Sequence, residues 1–167
     1  THDQSSAASD VYKRQFKHTY HHSQTAYEIF TPNGPLAILP APSKSKKVST
    51  FIYSSNQKTS YENIKTLIKK KFNASHGKLV FDKESYQFEI LPHLSKPKSH
   101  QFFLIGDALR SIHPVAGQGW NLGIKDIQQL MKLLDSYELD DPNLLKKYYD
   151  NRSIESFSYL SFTNLLN

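Results

Sequence analysis

The residues whose types and spacing could do chemistry lie in one stretch, Phe102–Leu134, which reads FFLIGDALRSIHPVAGQGWNLGIKDIQQLMKLL. An apolar run ends at Gly106-Asp107, a loop with His113-Pro114 follows, and Gly117-Gln118-Gly119 leads into a helical pattern. A carboxylate at the end of a strand can accept hydrogen bonds from a sugar or ribityl hydroxyl. Glycines at a helix N-terminus let a negatively charged group approach the free backbone N–H groups. The stretch therefore predicts a site for a phosphorylated or anionic cofactor.

Each of these residues also has a purely structural interpretation. Asp107 alone could be a turn or capping residue. His113 could be a general base, or it could shape an extended loop because it precedes Pro114. The pattern Gly117-x-Gly119-x-x-x-Gly123 lacks the spacing of the dinucleotide-binding fingerprint. Taken by itself, the pattern leaves the identity of the cofactor open.

The sequence argues against a metal site. Cysteine is absent, so thiolate ligands and disulfides are excluded. The histidines nearest His113 are His93 and His100, and they do not have the helical spacing of a shared metal site. The remaining histidines of interest are predicted to be surface residues of the first strand: His18, His21 and His22.

The elements that must position this stretch are predicted from hydrophobic periodicity. Short apolar runs separated by turn residues predict antiparallel strands at Tyr27–Phe30, Pro35–Leu39 and Val48–Tyr53. A helix is predicted within Ser54–Phe72, with Thr59 or Ser60 as its N-cap and Gly77 as its end. Further strands are predicted at Lys78–Phe81, Ser85–Ile90 and Phe102–Ile105.

Two helices are predicted toward the end of the chain. The first follows Gly117–Gly119 and is expected to bury Leu122, Ile127, Leu130, Met131 and Leu134. The second begins at Asp141-Pro142, an N-cap followed by a first-turn proline, and its apolar face is expected to comprise Leu144, Leu145, Tyr148, Ile154, Phe157, Leu160 and Leu165. This pattern still runs at Asn167, so we expect a truncated chain. Thr1–Gln15 is polar and aperiodic and is expected to be a disordered or foreign segment.

The composition fits a globular protein with a lysine-rich surface. The formal net charge is +6, and 18 of the 21 basic residues are lysines spread in small groups. This dispersed pattern favours a solvated surface first and an anionic membrane surface second. With only three arginines, nucleic acid is not expected as a partner. No run of about 18 apolar residues predicts a membrane-spanning helix.

The stretch Phe102–Leu134 resembles the second flavin-binding motif of class A flavoprotein monooxygenases. The residues that carry the resemblance are Leu104-Ile105-Gly106-Asp107-Ala108 and His113-Pro114-x-x-Gly117-Gln118-Gly119-x-Asn121-x-Gly123-x-x-Asp126. The ubiquinone-biosynthesis hydroxylases, of the 2-octaprenylphenol and 2-polyprenyl-6-methoxyphenol type, are the most similar branch. Thr25–Thr31 and Gly34–Pro40 are similar to its substrate-domain strands, and Leu145-x-x-Tyr148-x-x-x-Arg152 to its following helix. Leu109-Arg110 departs from the common Ala-His, and Trp120 replaces a smaller apolar residue.

The resemblance implies an α/β protein, α+β in this fragment, with the FAD-binding fold of the p-hydroxybenzoate hydroxylase type but without its N-terminal βαβ unit. Residues 16–100 would form the substrate-domain sheet with an inserted helix, and residues 101–167 the C-terminal part of the FAD-binding domain. Asp107 would hold the ribityl chain. The residues expected to bind FAD are Gly106, Asp107, Pro114, Gly117, Gln118, Gly119, Trp120 and Asn121. The flavin carries the chemistry, so no catalytic side chain is expected.

The expected function is FAD-dependent aromatic hydroxylation in ubiquinone biosynthesis, with a prenylated phenol as substrate and NADPH or NADH as reductant. The alternatives are another flavin oxygenase, such as a halogenase or an epoxidase, and a non-catalytic accessory protein that kept half of the fold. Because the ADP-binding fingerprint is missing, the chain alone is expected to bind flavin poorly and to be inactive. We expect a cytoplasmic location, with possible peripheral contact to the inner membrane or a biosynthetic complex.

Overall fold

The computed structural model describes residues 9–83, 86–95, 102–112 and 117–166 of the 167-residue chain. Within this part, the chain divides into two compact units, residues 9–89 and residues 90–166. Both strands and helices are present, in agreement with the α/β class expected from the sequence. None of the described helices has the length and apolar character needed to cross a bilayer.

The first unit is an antiparallel sheet with one helix. The strands follow the order β2-β3-β4-β1-β5, and β6 also pairs with β1. Their bounds are β1 Ser9–His18, β2 Tyr27–Thr31, β3 Gly34–Pro40, β4 Val48–Ser55, β5 Leu79–Phe81 and β6 Tyr86–Ile90. The strands predicted from alternating runs are confirmed. The antiparallel arrangement follows from the short connections between them.

The core of this unit lies between one face of the sheet and the helix α1 (Tyr61–His76). The register places Tyr12 opposite Tyr53 in the neighbouring strands β1 and β4, so alternate residues share the buried face. The helix contributes its own buried row at helical spacing: Ile64, Ile68 and Phe72. The predicted caps are confirmed, because the Ser60 hydroxyl accepts a hydrogen bond from the backbone N–H of Asn63 and the helix ends at Gly77.

The second unit contains the stretch singled out in the sequence. A two-residue strand, β7 (His93–Leu94), pairs with β8 (Arg110–Ser111), and a single 3₁₀ turn, Gly106–Ala108, precedes β8. Two helices follow, α2 (Gln118–Leu134) and α3 (Pro142–Leu166). The start of α3 confirms the prediction at Asp141, whose carboxylate accepts a hydrogen bond from the Asn143 N–H at 2.8 Å. The core of the unit is formed by Leu133, Leu144 and Tyr148.

Residues 9–15 were expected to be disordered, but the structure shows them as part of a strand. They form most of β1, the strand that pairs with β4 along eight residues of each strand. Val11 and Tyr12 are buried there. The prediction of disorder was based on the polar composition of this segment. Every second residue of an amphipathic strand faces solvent, so a polar composition does not exclude a strand. Residues 1–8 lie outside the described part of the chain.

Phe102–Ile105 was predicted as a strand, but no strand ladder includes it among the described residues. Two tyrosines of α3 take over part of its hydrogen bonding. The Tyr149 hydroxyl accepts from the Leu104 N–H at 2.8 Å and donates to the Phe102 carbonyl at 3.0 Å. The Tyr148 hydroxyl donates to the Leu104 carbonyl at 2.9 Å. Hydroxyl groups of α3 therefore bind the backbone of this apolar run, which has no neighbouring strand within the described part of the chain.

The predicted buried faces of α2 and α3 are partly wrong. Leu122 is buried as expected, but Ile127 and Met131 are 51% and 60% exposed. On α3, Ile154 and Phe157 are likewise exposed. Polar residues occupy the buried positions instead: Asp126 on α2, and Arg152 and Ser156 on α3. A pattern of apolar residues cannot locate a helix face whose buried residues are charged and form an ion pair.

Candidate functional site

The turn after the apolar run presents an acidic side chain to solvent. Gly106 has a φ of 59°, in the left-handed region, and the N–H of Leu109 closes the turn by donating to the Gly106 carbonyl at 3.0 Å. A Cβ at Gly106 would meet nothing within 4 Å, so the backbone conformation rather than crowding favours glycine here. Asp107 follows directly and is exposed. Within the described residues, no hydrogen bond to its carboxylate is found.

Helix α2 begins at a second left-handed glycine. Gly117 is its N-cap with a φ of 59°, and among the described residues no side chain caps the helix. The first turn contains no acidic residue. By helix geometry, the N–H groups of Gly117–Trp120 have no acceptor within the helix, whereas that of Asn121 is the first that can bond inside it. This end of the helix is the positive end of its dipole and attracts a ligand of negative charge.

The side chains of this first turn leave space around the backbone. A Cβ at Gly117 or Gly119 would meet nothing within 4 Å. Trp120 is 78% exposed, and the Asn121 side chain donates to Oε1 of Gln118 at 3.1 Å. Glycine at position 119 is thus not demanded by packing within the described chain, which is consistent with close approach of a ligand.

The Gly106–Ala108 turn packs against helix α2. An ideal Cβ on Gly123 would lie 3.7 Å from the Cα of Gly106, an ordinary van der Waals distance, so the turn lies directly against α2 at this position. The structure thus brings Gly106 and Asp107 to the same helix that begins at Gly117–Asn121. Among the residues predicted to contact the cofactor, Pro114 lies outside the described residues, as does His113.

The contact between turn and helix depends on a residue to which the sequence interpretation gave no role. Asp126 is fully buried on α2, and its Oδ2 accepts a hydrogen bond from the Gly106 N–H at 2.8 Å. Its Oδ1 accepts from Arg110 Nη2 and from Arg152 Nε, each at 2.7 Å. Asp126 and Arg152 were part of the recognised motifs, but a buried aspartate within an apolar pattern was the signal that was missed.

A second ion pair connects this cluster to the surface. Arg152 Nη1 donates to Glu155, and the Lys125 ammonium lies 2.8 Å from the other Glu155 oxygen. Burial by itself would lower the pKa of Arg152, but its hydrogen bonds to Asp126 and Glu155 outweigh this and raise the pKa. Burial would raise the pKa of Glu155, yet the hydrogen bonds from Lys125 and Arg152 lower it. Arg152 and Glu155 therefore stay charged near neutral pH.

The histidines of the first unit differ from expectation. His21 is exposed as predicted, but His18 and His22 are buried, and the rings of His18 and His76 meet edge to face at 4.8 Å. Adjacent turns of the chain, not the strand alternation alone, bury them. A search of the described residues finds no histidine and carboxylate group arranged to hold a metal ion.

Comparison with protein families identifies the class. The protein-family model described as "FAD binding domain" matches residues 2–158 of the chain. The chain therefore belongs to this family of FAD-binding domains.

Its relatives narrow the likeness to flavoprotein monooxygenases. The chain is 29% identical to ubiquinone hydroxylase UbiL of Rhodospirillum rubrum over 90% of its length, and 26% identical to ubiquinone hydroxylase UbiM of Neisseria meningitidis over 91%. It spans only 37% and 35% of these two relatives.

The fold is also that of solved flavin enzymes. Xcc4156, a flavin-dependent halogenase from Xanthomonas campestris, matches 95% of the chain with a TM-score of 0.66 and 13% identity, over 30% of the halogenase. At this identity the likeness concerns the fold alone.

Proposed function

We propose that this chain supplies the riboflavin side of an FAD site. The observations that carry the proposal are the exposed carboxylate of Asp107, in a turn that lies against α2, and the N-terminus of α2 at Gly117, which no described side chain caps. Asp107 would accept hydrogen bonds from the ribityl hydroxyls. The Gly117–Asn121 segment would line the isoalloxazine ring, together with Pro114.

The chemical contribution of these residues is positioning and electrostatics. Bound flavin would supply the oxygen-transfer chemistry, and NADPH or NADH would reduce it. The N–H groups of Gly117–Trp120 would stabilise negative charge on the pyrimidine side of the ring, because they form the positive end of the α2 dipole. No acid or base side chain of this chain is required for that role.

We further propose aromatic hydroxylation of a prenylated phenol in ubiquinone biosynthesis as the reaction. The similarity to two ubiquinone hydroxylases across nine-tenths of the chain supports this substrate class. The chain spans about a third of those relatives, so we propose that full activity requires an additional ADP-binding part and expect the chain alone to bind flavin weakly. Exposed lysines, including Lys69–Lys71 on α1, support peripheral contact with an anionic membrane surface.

Deletion of the gene that encodes this chain tests the reaction. We expect the source organism to accumulate a prenylated phenol that lacks one ring oxygen, detected by mass spectrometry of extracted lipids. The unchanged gene and an Asp135→Asn version should restore ubiquinone, because Asp135 is exposed at the far end of α2.

An Asp107→Asn version should not restore it fully, because a lost hydrogen bond to a charged group weakens binding by roughly 10- to 100-fold. Normal ubiquinone without any precursor after deletion would reject the proposed substrate. Full rescue by Asp107→Asn would reject the proposed role of Asp107.

A further inference from the structure

The Gly106-Asp107 turn is held by a buried charge cluster that the flavin-binding proposal does not use. Asp126 has no exposed surface, and Arg110 and Arg152 are 2% and 4% exposed. The three side chains come from α2, β8 and α3, so they join every main element of the second unit. Arg110 Nη2 also donates to the Leu122 carbonyl at 3.2 Å.

This cluster is costly for stability. Burying a carboxylate with two guanidinium groups requires the removal of their water, and apolar residues of similar size often serve as well or better. Within the described chain, Nε and Nη1 of Arg110 and Nη2 of Arg152 have no hydrogen-bond partner. Each buried donor that lacks a partner adds to this cost. The cluster is therefore poorly explained as a stabilising device.

The Asp126 carboxylate accepts hydrogen bonds from three donors that approach from three directions, which only a carboxylate can do here. One oxygen accepts from the two arginines, and the other accepts from the Gly106 N–H. The Gly106 carbonyl is occupied by the Leu109 N–H. Both polar groups of the Gly106 backbone are thus fixed, and with them the direction in which the chain leaves toward Asp107.

We infer that Asp126 is the positioning residue of the Asp107 turn, with Arg110 and Arg152 orienting its carboxylate. Helix α3 then acts on the cofactor site through Arg152, although α3 contributes no residue to the predicted flavin contacts. Arg110 and Arg152 together place two guanidinium groups on this one carboxylate. The inference rests on the proposed flavin site for its functional meaning, but the geometry can be tested without flavin.

Amide hydrogen exchange of the ¹⁵N-labelled chain provides the test. The Gly106 N–H should be protected and its proton shifted downfield by the carboxylate, although it lies in a short turn. In Asp126→Asn, the protection of Gly106 relative to Leu144 in α3 should fall by about tenfold or more, because a charge-assisted hydrogen bond is replaced by a neutral one.

Glu155→Gln is the matched control. It removes an acidic partner of Arg152 but leaves every hydrogen bond of Asp126 in place, so the Gly106 signal should not move. Should Asp126→Asn fail to fold, Arg152→Lys keeps the positive charge but cannot reproduce the Nε contact, and a smaller Gly106-specific loss of protection is expected. Rapid exchange of Gly106 in the unchanged chain would overturn the inference, as would unchanged Gly106 protection in the folded variants.

The two proposals can fail separately. If flavin mononucleotide perturbs the Asp107 amide equally in the unchanged chain and in Asp126→Asn, the flavin site stands and the positioning role falls. If Gly106 responds to Asp126→Asn but flavin mononucleotide perturbs nothing, the positioning of the turn stands and the proposed function falls.

Discussion

The hydroxyl of Tyr149 lies 2.8 Å from the backbone nitrogen of Leu104 and accepts its N–H, 45 residues earlier in the chain. The same hydroxyl donates to Phe102, and the neighbouring Tyr148 hydroxyl donates to the Leu104 carbonyl. Burial raises the pKa of Tyr148, so its hydroxyl keeps the proton that it donates. Helix α3 thereby holds the apolar segment that leads into the Gly106-Asp107 turn.

Tyr149→Phe should destabilise the second unit by about 1 to 3 kcal/mol, because the Leu104 N–H and the Phe102 carbonyl both lose a partner. Chemical denaturation followed by circular dichroism measures the effect. Tyr137→Phe is the control, since Tyr137 is partly buried in the same unit and its hydroxyl has no hydrogen bond among the described residues. Equal unfolding free energies for the two variants would contradict the assignment.

The histidine contacts in the first unit predict a loss of stability in acid. Burial, together with the neighbouring histidines, lowers the pKa of His18 and of His76. The unfolded chain therefore binds a proton near the ordinary histidine pKa of about 6.5, where the folded chain does not yet bind one. Stability is fully present above that pH and falls as the pH drops toward the lower folded values.

Urea unfolding between pH 7.5 and pH 5.5 measures this slope. The groups that face these rings are the titratable ring of His22, the Ser49 and Ser75 hydroxyls, the Tyr20 carbonyl and the aromatic rings of Phe16, Phe72 and Tyr27. His76→Gln should flatten the slope, and His21→Gln should change it less, because the exposed His21 makes only the smallest contribution to the lowered pKa of His18. An identical slope in the unchanged chain and in His76→Gln would rule out this account.

Gly119 and Gly117 should respond differently to alanine. Gly119→Ala is expected to leave folding intact, or to stabilise the helix by about 0.5 to 1 kcal/mol, because its Cβ meets nothing. Gly117→Ala should cost about 1 to 2 kcal/mol because the left-handed conformation strains a Cβ. Thermal unfolding distinguishes the two.

Flavin contact is expected to weaken in Gly119→Ala despite its normal stability. The added methyl group would stand between the ligand and the first turn of α2, which is measured as a reduced response to flavin mononucleotide. A Gly119→Ala variant that responds as strongly as the unchanged chain would remove this glycine from the site.

The sequence predicted those parts of the fold that depend on local signals. Ser60 and Gly77 delimit α1 because a hydroxyl cap and a glycine with positive φ act within one turn of the helix. The motif from Gly106 to Asp126 was found for the same reason, since its residues keep fixed spacing along the chain.

What could not be predicted depends on partners distant in the chain. Asp126 becomes the centre of a cluster only when Arg110 and Arg152 arrive from other elements, so a pattern of apolar letters placed Ile127 and Met131 inside instead. Phe102–Ile105 has the composition of a buried strand, yet strand formation requires a neighbouring strand. The assignment of residues 16–100 and 101–167 to a substrate part and an FAD-binding part stays a prediction.

The central claim is that Asp107 and the first turn of α2 bind the riboflavin half of FAD. A titration of the ¹⁵N-labelled chain with millimolar flavin mononucleotide, and separately with ADP, tests it most directly. We predict that flavin mononucleotide shifts the amide signals of Gly106, Asp107 and Gly117–Trp120, and that ADP leaves them in place. The claim would be contradicted if flavin mononucleotide did not shift these amide signals, or if ADP shifted them by the same amount.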